Sequence, residues 1–262
     1  MLGAILGDII GSTYEFGSMK TKHFPLFRPG CSPTDDSIMT IAVGRACVDG
    51  DITDKEDFQN KVAYHMRRLG RMYLNAGYGG MFYRWLLDSR MGPYGSFGNG
   101  SAMRVSPVAY AASSLEETEK LAAWSASVTH DHPDGIAGAQ AVAGSIFLAR
   151  KKESKETIRK YVEDNYYPLI FTLDEIRPSY RFDVTCQGSV PQAIVCFLES
   201  ESFEDAVRNA VSIGGDCDTQ GAMAGAIAEA FYGIPEDIVS TGLGCLDETL
   251  LEEYETCAEW LR

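Results

Sequence analysis

Two acidic clusters stand far apart in the chain. The first reads Ser32-Pro33-Thr34-Asp35-Asp36-Ser37 and the second Gly214-Gly215-Asp216-Cys217-Asp218-Thr219. Each offers two carboxylates and one threonine hydroxyl, all hard oxygen donors, and each directly precedes a helical pattern. Either one alone reads best as a helix cap, with acids in the first turn complementing the helix dipole. The second could also be a loop whose alternating acids aim at one point, but it lacks the later Glu and the glycine position of an EF-hand. Four carboxylates that converged without a cation would repel one another and take up protons. With one or two divalent cations the same set becomes favourable. Oxygen-only ligation suits Mg²⁺ or Mn²⁺ better than Zn²⁺, which prefers His and Cys.

Two other segments have chemical potential. In Ser96-Phe97-Gly98-Asn99-Gly100-Ser101-Ala102-Met103-Arg104, two glycines and a hydroxyl residue precede a helix. Backbone N–H groups there could cradle a phosphate, or the segment is a glycine turn with a serine cap. In Ser127-Val128-Thr129-His130-Asp131-His132-Pro133, two of the four histidines lie two apart. His130 could ligate metal, touch substrate or sit buried with a hydrogen bond; His132 reads as structural.

Helical spacing positions these groups. Gly3, Gly7 and Gly11 recur every four residues among Ile5, Leu6, Ile9 and Ile10, giving a helix face that a neighbouring helix can approach closely. Helical patterns cover 37–48, 55–69, 115–127, 134–150, 154–163, 202–212, 219–232 and 246–261. The helix near 202 opens on a capping-box-like Ser202 and Asp205, with Asp where Glu or Gln is usual. Strand alternation is scarce. Residues 165–188, with Tyr166, Tyr167, Tyr180 and Phe182, read as a long aromatic loop. There are no repeats and no linker, so the expectation is one all-α domain over residues 1–262.

The bulk numbers narrow the partners. A formal net charge of -14 repels nucleic-acid phosphates and anionic lipid, so neither is an expected partner. No stretch approaches the roughly 18 to 20 apolar residues of a membrane span. Seven scattered cysteines, none in a C-x-x-C pair, suggest reduced core thiols and a cytoplasmic protein, with neither a zinc site nor a disulfide framework.

Five segments together resemble the ADP-ribosylglycohydrolase family, which includes dinitrogenase-reductase-activating glycohydrolase and the ADP-ribosyl-acceptor hydrolases. They are Gly7-Asp8-Ile9-Ile10-Gly11 through Glu15, Thr34-Asp35-Asp36, Gly98-Asn99-Gly100-Ser101, Thr129-His130, and Gly214-Gly215-Asp216-Cys217-Asp218-Thr219. They occur in the family's order and span nearly the whole chain. The resemblance implies an all-helical fold with two divalent ions, Mg²⁺ or Mn²⁺, in a cleft. Thr34, Asp35, Asp36, Asp216, Asp218 and Thr219 would be the ligands. Glu15 would lie beside the metals, Gly98, Asn99, Gly100 and Ser101 would hold the diphosphate, and His130 would approach the substrate. Composition adds Tyr180 and Phe182 as rings that could stack on adenine. Cys217, inside a ligand cluster, is expected to point away from the metals.

The implied activity is hydrolysis of the glycosidic bond between ADP-ribose and an acceptor, a protein side chain or a small molecule. Glu15, Asp35 and Asp36 are the candidate catalytic carboxylates, with Glu15 favoured as general base. The partner is then an ADP-ribose-containing substrate, including ADP-ribosylated protein. Two alternatives stand beside it: a metal-dependent phosphohydrolase cleaving the diphosphate, and a non-catalytic role, since the fold also resembles that of J1 crystallins, which are structural lens proteins.

Overall fold

Local capping signals set many of the helix starts. Thr34, Asp54, Ser114, Ser154, Thr185, Ser202 and Asp247 each accept an N–H from the first turn that follows. A computed structural model describes residues 1–15, 17 and 19–261. Its helices are, in order, α1 (Leu2–Gly11), α2 (Asp35–Asp49), α3 (Lys55–Met72), α4 (Gly80–Leu87), α5 (Gly100–Met103), α6 (Val108–Ala111), α7 (Leu115–Ala126) and α8 (Pro133–Arg150). There follow α9 (Lys155–Asn165), α10 (Leu173–Ile176), α11 (Cys186–Leu198), α12 (Phe203–Ser212), α13 (Cys217–Tyr232), α14 (Glu236–Leu243) and α15 (Glu248–Trp260). No strand occurs among the described residues; one isolated antiparallel bridge joins Gly98 to Thr185. The all-α expectation holds.

Helix α13 is the centre of the fold. It is buried without interruption from Cys217 to Ala228 and packs against α1, α8, α11 and α12. A helix buried all round is apolar or small all round, and Gly221, Ala222, Met223, Ala224, Gly225 and Ala226 meet that demand. Its tightest contact is with α1. A Cβ on Gly7 would lie 1.9 Å from the carbonyl oxygen of Gly221, and one on Gly3 would lie 2.3 Å from that of Gly225. A Cβ on Gly11 would lie 2.5 Å from Cα of Asp218. The glycine face expected from the sequence therefore docks α1 on the helix that begins at the second acidic cluster.

Other expectations need adjusting. The segment 165–188 is not one continuous loop. It holds α10, opened by a capping box of Thr172 and Glu175, and its end enters α11. At α12, Ser202 Oγ accepts the Asp205 N–H at 3.1 Å. The Asp205 carboxylate takes the N–H of Glu201 at 3.1 Å rather than that of Ser202, so the reciprocal half of a capping box is not formed.

Candidate active site

The two acidic clusters meet. Thr34 caps α2, which places Asp35 and Asp36 in its first turn; Asp216 caps α13, which places Asp218 and Thr219 in its first turn. The second cluster is thus a helix start and not an extended loop. Its turn is made by Gly214 at φ 71° and Gly215 at φ 81°, a left-handed geometry that only glycine adopts without cost. Across the gap, Thr219 Oγ1 donates to Asp36 Oδ2 at 3.1 Å. The positive ends of both helix dipoles point at the carboxylates they carry.

Oxygen atoms of Asp8, Asp36 and Asp218 lie within 4.8 Å of one another, and so do those of Glu15, Asp216 and Asp218. Asp218 belongs to both groups. Asp36 Oδ1 is buried without a hydrogen-bond partner. Burial, followed by the neighbouring negative charges, pushes Asp36 and Asp218 well above the usual carboxylate range and raises Asp35 to about 8. Glu15 is half-buried and rises to about 7, through desolvation first and then the charges of Asp216 and Asp8. Crowded, dehydrated carboxylates with an unsatisfied oxygen fit a divalent cation bound by hard oxygen ligands.

Asp8 has a different part. It is wholly buried and accepts four hydrogen bonds: from Thr34 N at 2.9 Å, Thr34 Oγ1 at 2.7 Å, Ser37 N at 3.0 Å and Ser37 Oγ. Thr34 spends its hydroxyl proton on Asp8, which leaves its oxygen a lone pair for a cation. Asp8 therefore anchors the first cluster to α1. The sequence carried one signal of this, an acid interrupting an otherwise apolar run.

A cleft of about 430 Å³ opens over the carboxylates. Glu15, Thr34, Asp35, Asp36, Asp216, Asp218 and Thr219 line it, as do Gly98, Asn99, Gly100, His130 and Phe182. Asn99 Nδ2 donates to Asp216 Oδ2 at 2.7 Å, so the glycine loop is tied to the second cluster. Two amides of that loop are already engaged: Gly98 N–H with Ser96 Oγ at 3.2 Å and Asn99 N–H with the Val184 carbonyl at 2.7 Å. No hydrogen bond from the Gly100 or Ser101 amide occurs outside the helices among the described residues, and of the two residues only Gly100 lines the cleft. The Ser101 hydroxyl faces the other way and donates to the Gly135 carbonyl at 2.7 Å. Burial, then the Arg104 charge, holds His130 well below the ordinary histidine value, so its ring is neutral.

Of the two rings singled out by composition, only Phe182 lines the cleft, where it is 50% exposed. Tyr180 lies outside it. Its hydroxyl donates to the Gly188 carbonyl at 2.6 Å and accepts from Gln220 Nε2 at 3.1 Å. Its ring edge packs where a Cβ on Gly215 would lie, 2.7 Å from that position. Tyr180 thus supports the glycine turn from below. Cys217 is buried with Sγ directed at the Val211 carbonyl, away from the cleft. Ala76, Gly77, Gly79, Gly80, Met81 and Tyr94 also line the cleft and were not singled out from the sequence, and Arg104 lines it too but had been given no role of its own. The run Ala76-Gly77-Tyr78-Gly79-Gly80 was the available signal.

Known proteins share this architecture. A family model described as ADP-ribosylglycohydrolase matches residues 1–261. The chain is 25% identical over 308 positions to the ADP-ribosylhydrolase ARH3 of Homo sapiens, covering 90% of this chain and 85% of that one. It is 26% identical over 283 positions to the ADP-ribosyl-(dinitrogen reductase) glycohydrolase of Rhodospirillum rubrum, covering 94% and 88%. It is 26% identical over 264 positions to the ADP-ribosylarginine hydrolase Tri1 of Pseudomonas putida, covering 89% and 70%. A solved chain described as an ADP-ribosylglycohydrolase-related protein complex superposes with a TM-score of 0.65 over 100% of this chain and 97% of that one. At 21% identity this likeness bears on the fold. With the family match running through both acidic clusters and the loop between them, the chain belongs to the ADP-ribosylglycohydrolase family.

Proposed function

We propose that the protein hydrolyses the glycosidic bond joining ADP-ribose to an acceptor, using two divalent ions, Mg²⁺ or Mn²⁺. The observation that carries the reading is the pair of carboxylate groups, Asp8–Asp36–Asp218 and Glu15–Asp216–Asp218, sharing Asp218 at the floor of a cleft. Asp8 accepts four hydrogen bonds from Thr34 and Ser37 and does not line the cleft, so the proposed ligands are Thr34, Asp35, Asp36, Asp216, Asp218 and Thr219. Bound there, the ions would supply orientation of the ribose hydroxyls and polarisation of water.

The chain's own groups do the rest. Gly100 and Ser101 offer amides to a diphosphate, and neutral His130 faces the same loop. Phe182 offers a ring to the adenine. Glu15, half-buried in the cleft beside Asp216 and Asp218, is the carboxylate placed to take a proton from the attacking water. The remaining carboxylates face the positive charge that develops at the anomeric carbon. The substrate carries ADP-ribose, and an ADP-ribosylated protein is one form of it. A cytoplasmic setting belongs to the same proposal and is supported by seven free thiols, five of them buried; among the described residues no helix is long and apolar enough to cross a membrane.

A panel of ADP-ribosylated substrates, assayed with Mg²⁺ or Mn²⁺ and resolved by product, tests the proposal. ADP-ribose is the expected product. Release of AMP would replace the glycosidase with a phosphohydrolase, and no turnover together with no metal or ADP-ribose binding would leave the crystallin-like role.

A further inference from the structure

Arg104 is wholly buried, yet both of its acceptors are neutral. Nη1 donates to the Gly100 carbonyl at 2.6 Å and Nη2 to Thr129 Oγ1 at 2.9 Å, while Nε is buried without a partner. Keeping a guanidinium in such a place is expensive, so its effect on its neighbours matters. Thr129 is also wholly buried, and its hydroxyl meets one other partner among the described residues, His130 Nδ1 at 2.7 Å.

Donor counting fixes the proton. A guanidinium donates and never accepts, so Arg104 fills a lone pair on Thr129 Oγ1. The Thr129 proton then has one acceptor in reach, His130 Nδ1. In the reverse arrangement His130 Nδ1–H would donate to Thr129, and a buried hydroxyl proton would be left with no acceptor, its desolvation uncompensated. With Nδ1 accepting, the ring proton of neutral His130 sits on Nε2. That atom faces the glycine loop: a Cβ on Gly100 would lie 3.2 Å from it and one on Gly98 would lie 3.6 Å. His130 also lines the cleft.

We infer that Arg104 and Thr129 are positioning residues that hold His130 as its Nε2–H tautomer, a fixed donor to an anionic oxygen of the substrate beside Gly100. This rests on the ADP-ribose reading only for the identity of that oxygen. Arg104 also grips the Gly100 carbonyl, so one side chain sets both the loop and the histidine.

Long-range ¹H–¹⁵N imidazole spectra of the full chain test the tautomer without substrate, with the His130 signals assigned by their loss in His130→Asn. The Nε2–H pattern is expected in the wild type and in Thr129→Ser. Thr129→Val, which keeps the shape but has no proton to give, should lose it. Calorimetry with ADP-ribose should then show about a 5- to 10-fold weaker Kd for Thr129→Val and a change under about twofold for Thr129→Ser, the worth of one buried hydrogen bond. An Nδ1–H pattern in the wild type, or an unaltered spectrum in Thr129→Val, would overturn the inference. Should Thr129→Val fail to fold, Thr129→Ala serves as the second variant, with the same loss expected and an unaltered spectrum counting against the inference. Wild-type protein that bound no ADP-ribose would sink the functional reading instead, and the substrate-free spectrum would still decide the tautomer.

Discussion

Asn99 and Asp216 are 117 residues apart, and the Asn99 amide donates to the Asp216 carboxylate at 2.7 Å. The loop proposed for the diphosphate and the cluster proposed for the metals are therefore one hydrogen-bonded unit. Removing the donor in Asn99→Ala should weaken Mg²⁺ or Mn²⁺ binding by about tenfold, the usual scale for a partner that orients a ligand. Metal titration by calorimetry measures it, and an unchanged affinity would show that Asp216 needs no such support.

Asp8 organises the first cluster through four hydrogen bonds. In Asp8→Asn the amide brings two protons to a position whose four hydrogen bonds all come from donors. Stability should fall by about 2–4 kcal/mol in chemical denaturation, and metal affinity should fall with it because Thr34 loses its orientation. A stable variant with normal metal binding would make Asp8 dispensable.

The pH dependence of the metal-free protein has a defined sign. Asp8, Glu15 and Asp35 rise to about 6, 7 and 8, above their ordinary values of 3.8, 4.5 and 3.8. Each raised group leaves the folded state holding more protons than the unfolded one across that window. Its contribution to stability is complete below the unfolded value and is lost as pH rises through the folded value. In the presence of a chelator, Tm should therefore drop between about pH 4 and pH 8. Mg²⁺ or Mn²⁺ should flatten the decline. A chelated protein that grew more stable over that range would contradict the crowded-carboxylate picture.

The contact between α1 and α13 should tolerate no side chain. Gly7→Ala sets a methyl group against the Gly221 carbonyl and is expected to cost more than about 2 kcal/mol, at the upper end for overpacking. Gly92→Ala, where a Cβ would meet nothing within 4 Å, is the control and should stay within about 0.5 kcal/mol. Equal melting curves for the two variants would mean that the helices have room to separate.

Tyr180 and Phe182 should divide stability from binding. Tyr180→Phe loses two hydroxyl hydrogen bonds and should cost about 1–2 kcal/mol, with ADP-ribose affinity held within about twofold. Phe182→Ala should do the reverse, leaving Tm nearly unchanged and weakening ADP-ribose about fivefold or more by loss of a stacking face. If Tyr180→Phe proved to be the binding variant, the aromatic assignment would revert to the composition-based one.

Much of this was legible in the sequence, and for identifiable reasons. Helices with one wet face, such as α3 and α9, betray themselves by apolar residues at helical period. Helix α11 did not, because it is buried on nearly every side and carries Pro191, so it has neither a polar face nor an uninterrupted pattern. Helix α4 hides behind Gly79 and Gly80. The acidic clusters were readable because few folds repeat the same oxygen donors before two helices. Asp8 and Arg104 were not assigned a role, since a single charged residue in a sequence gives no hint of which neutral groups it will hold. Tyr180 and Phe182 share one short segment, and only the path of the backbone decides which ring meets the cleft.

The glycine contact has a bearing on how the protein comes into being. Helix α1 leaves the ribosome before its partner α13, with most of the other helices of the fold between them. Until that late segment emerges, Asp8 and Thr34 have no Asp218 across from them, and the three glycines of α1 have no surface to meet. A nascent chain is thus expected to gain cation affinity abruptly once α13 has emerged. Such long-range pairing is slow to find, and a divalent ion bound across it would act as a clasp that closes the protein as well as a reagent within it.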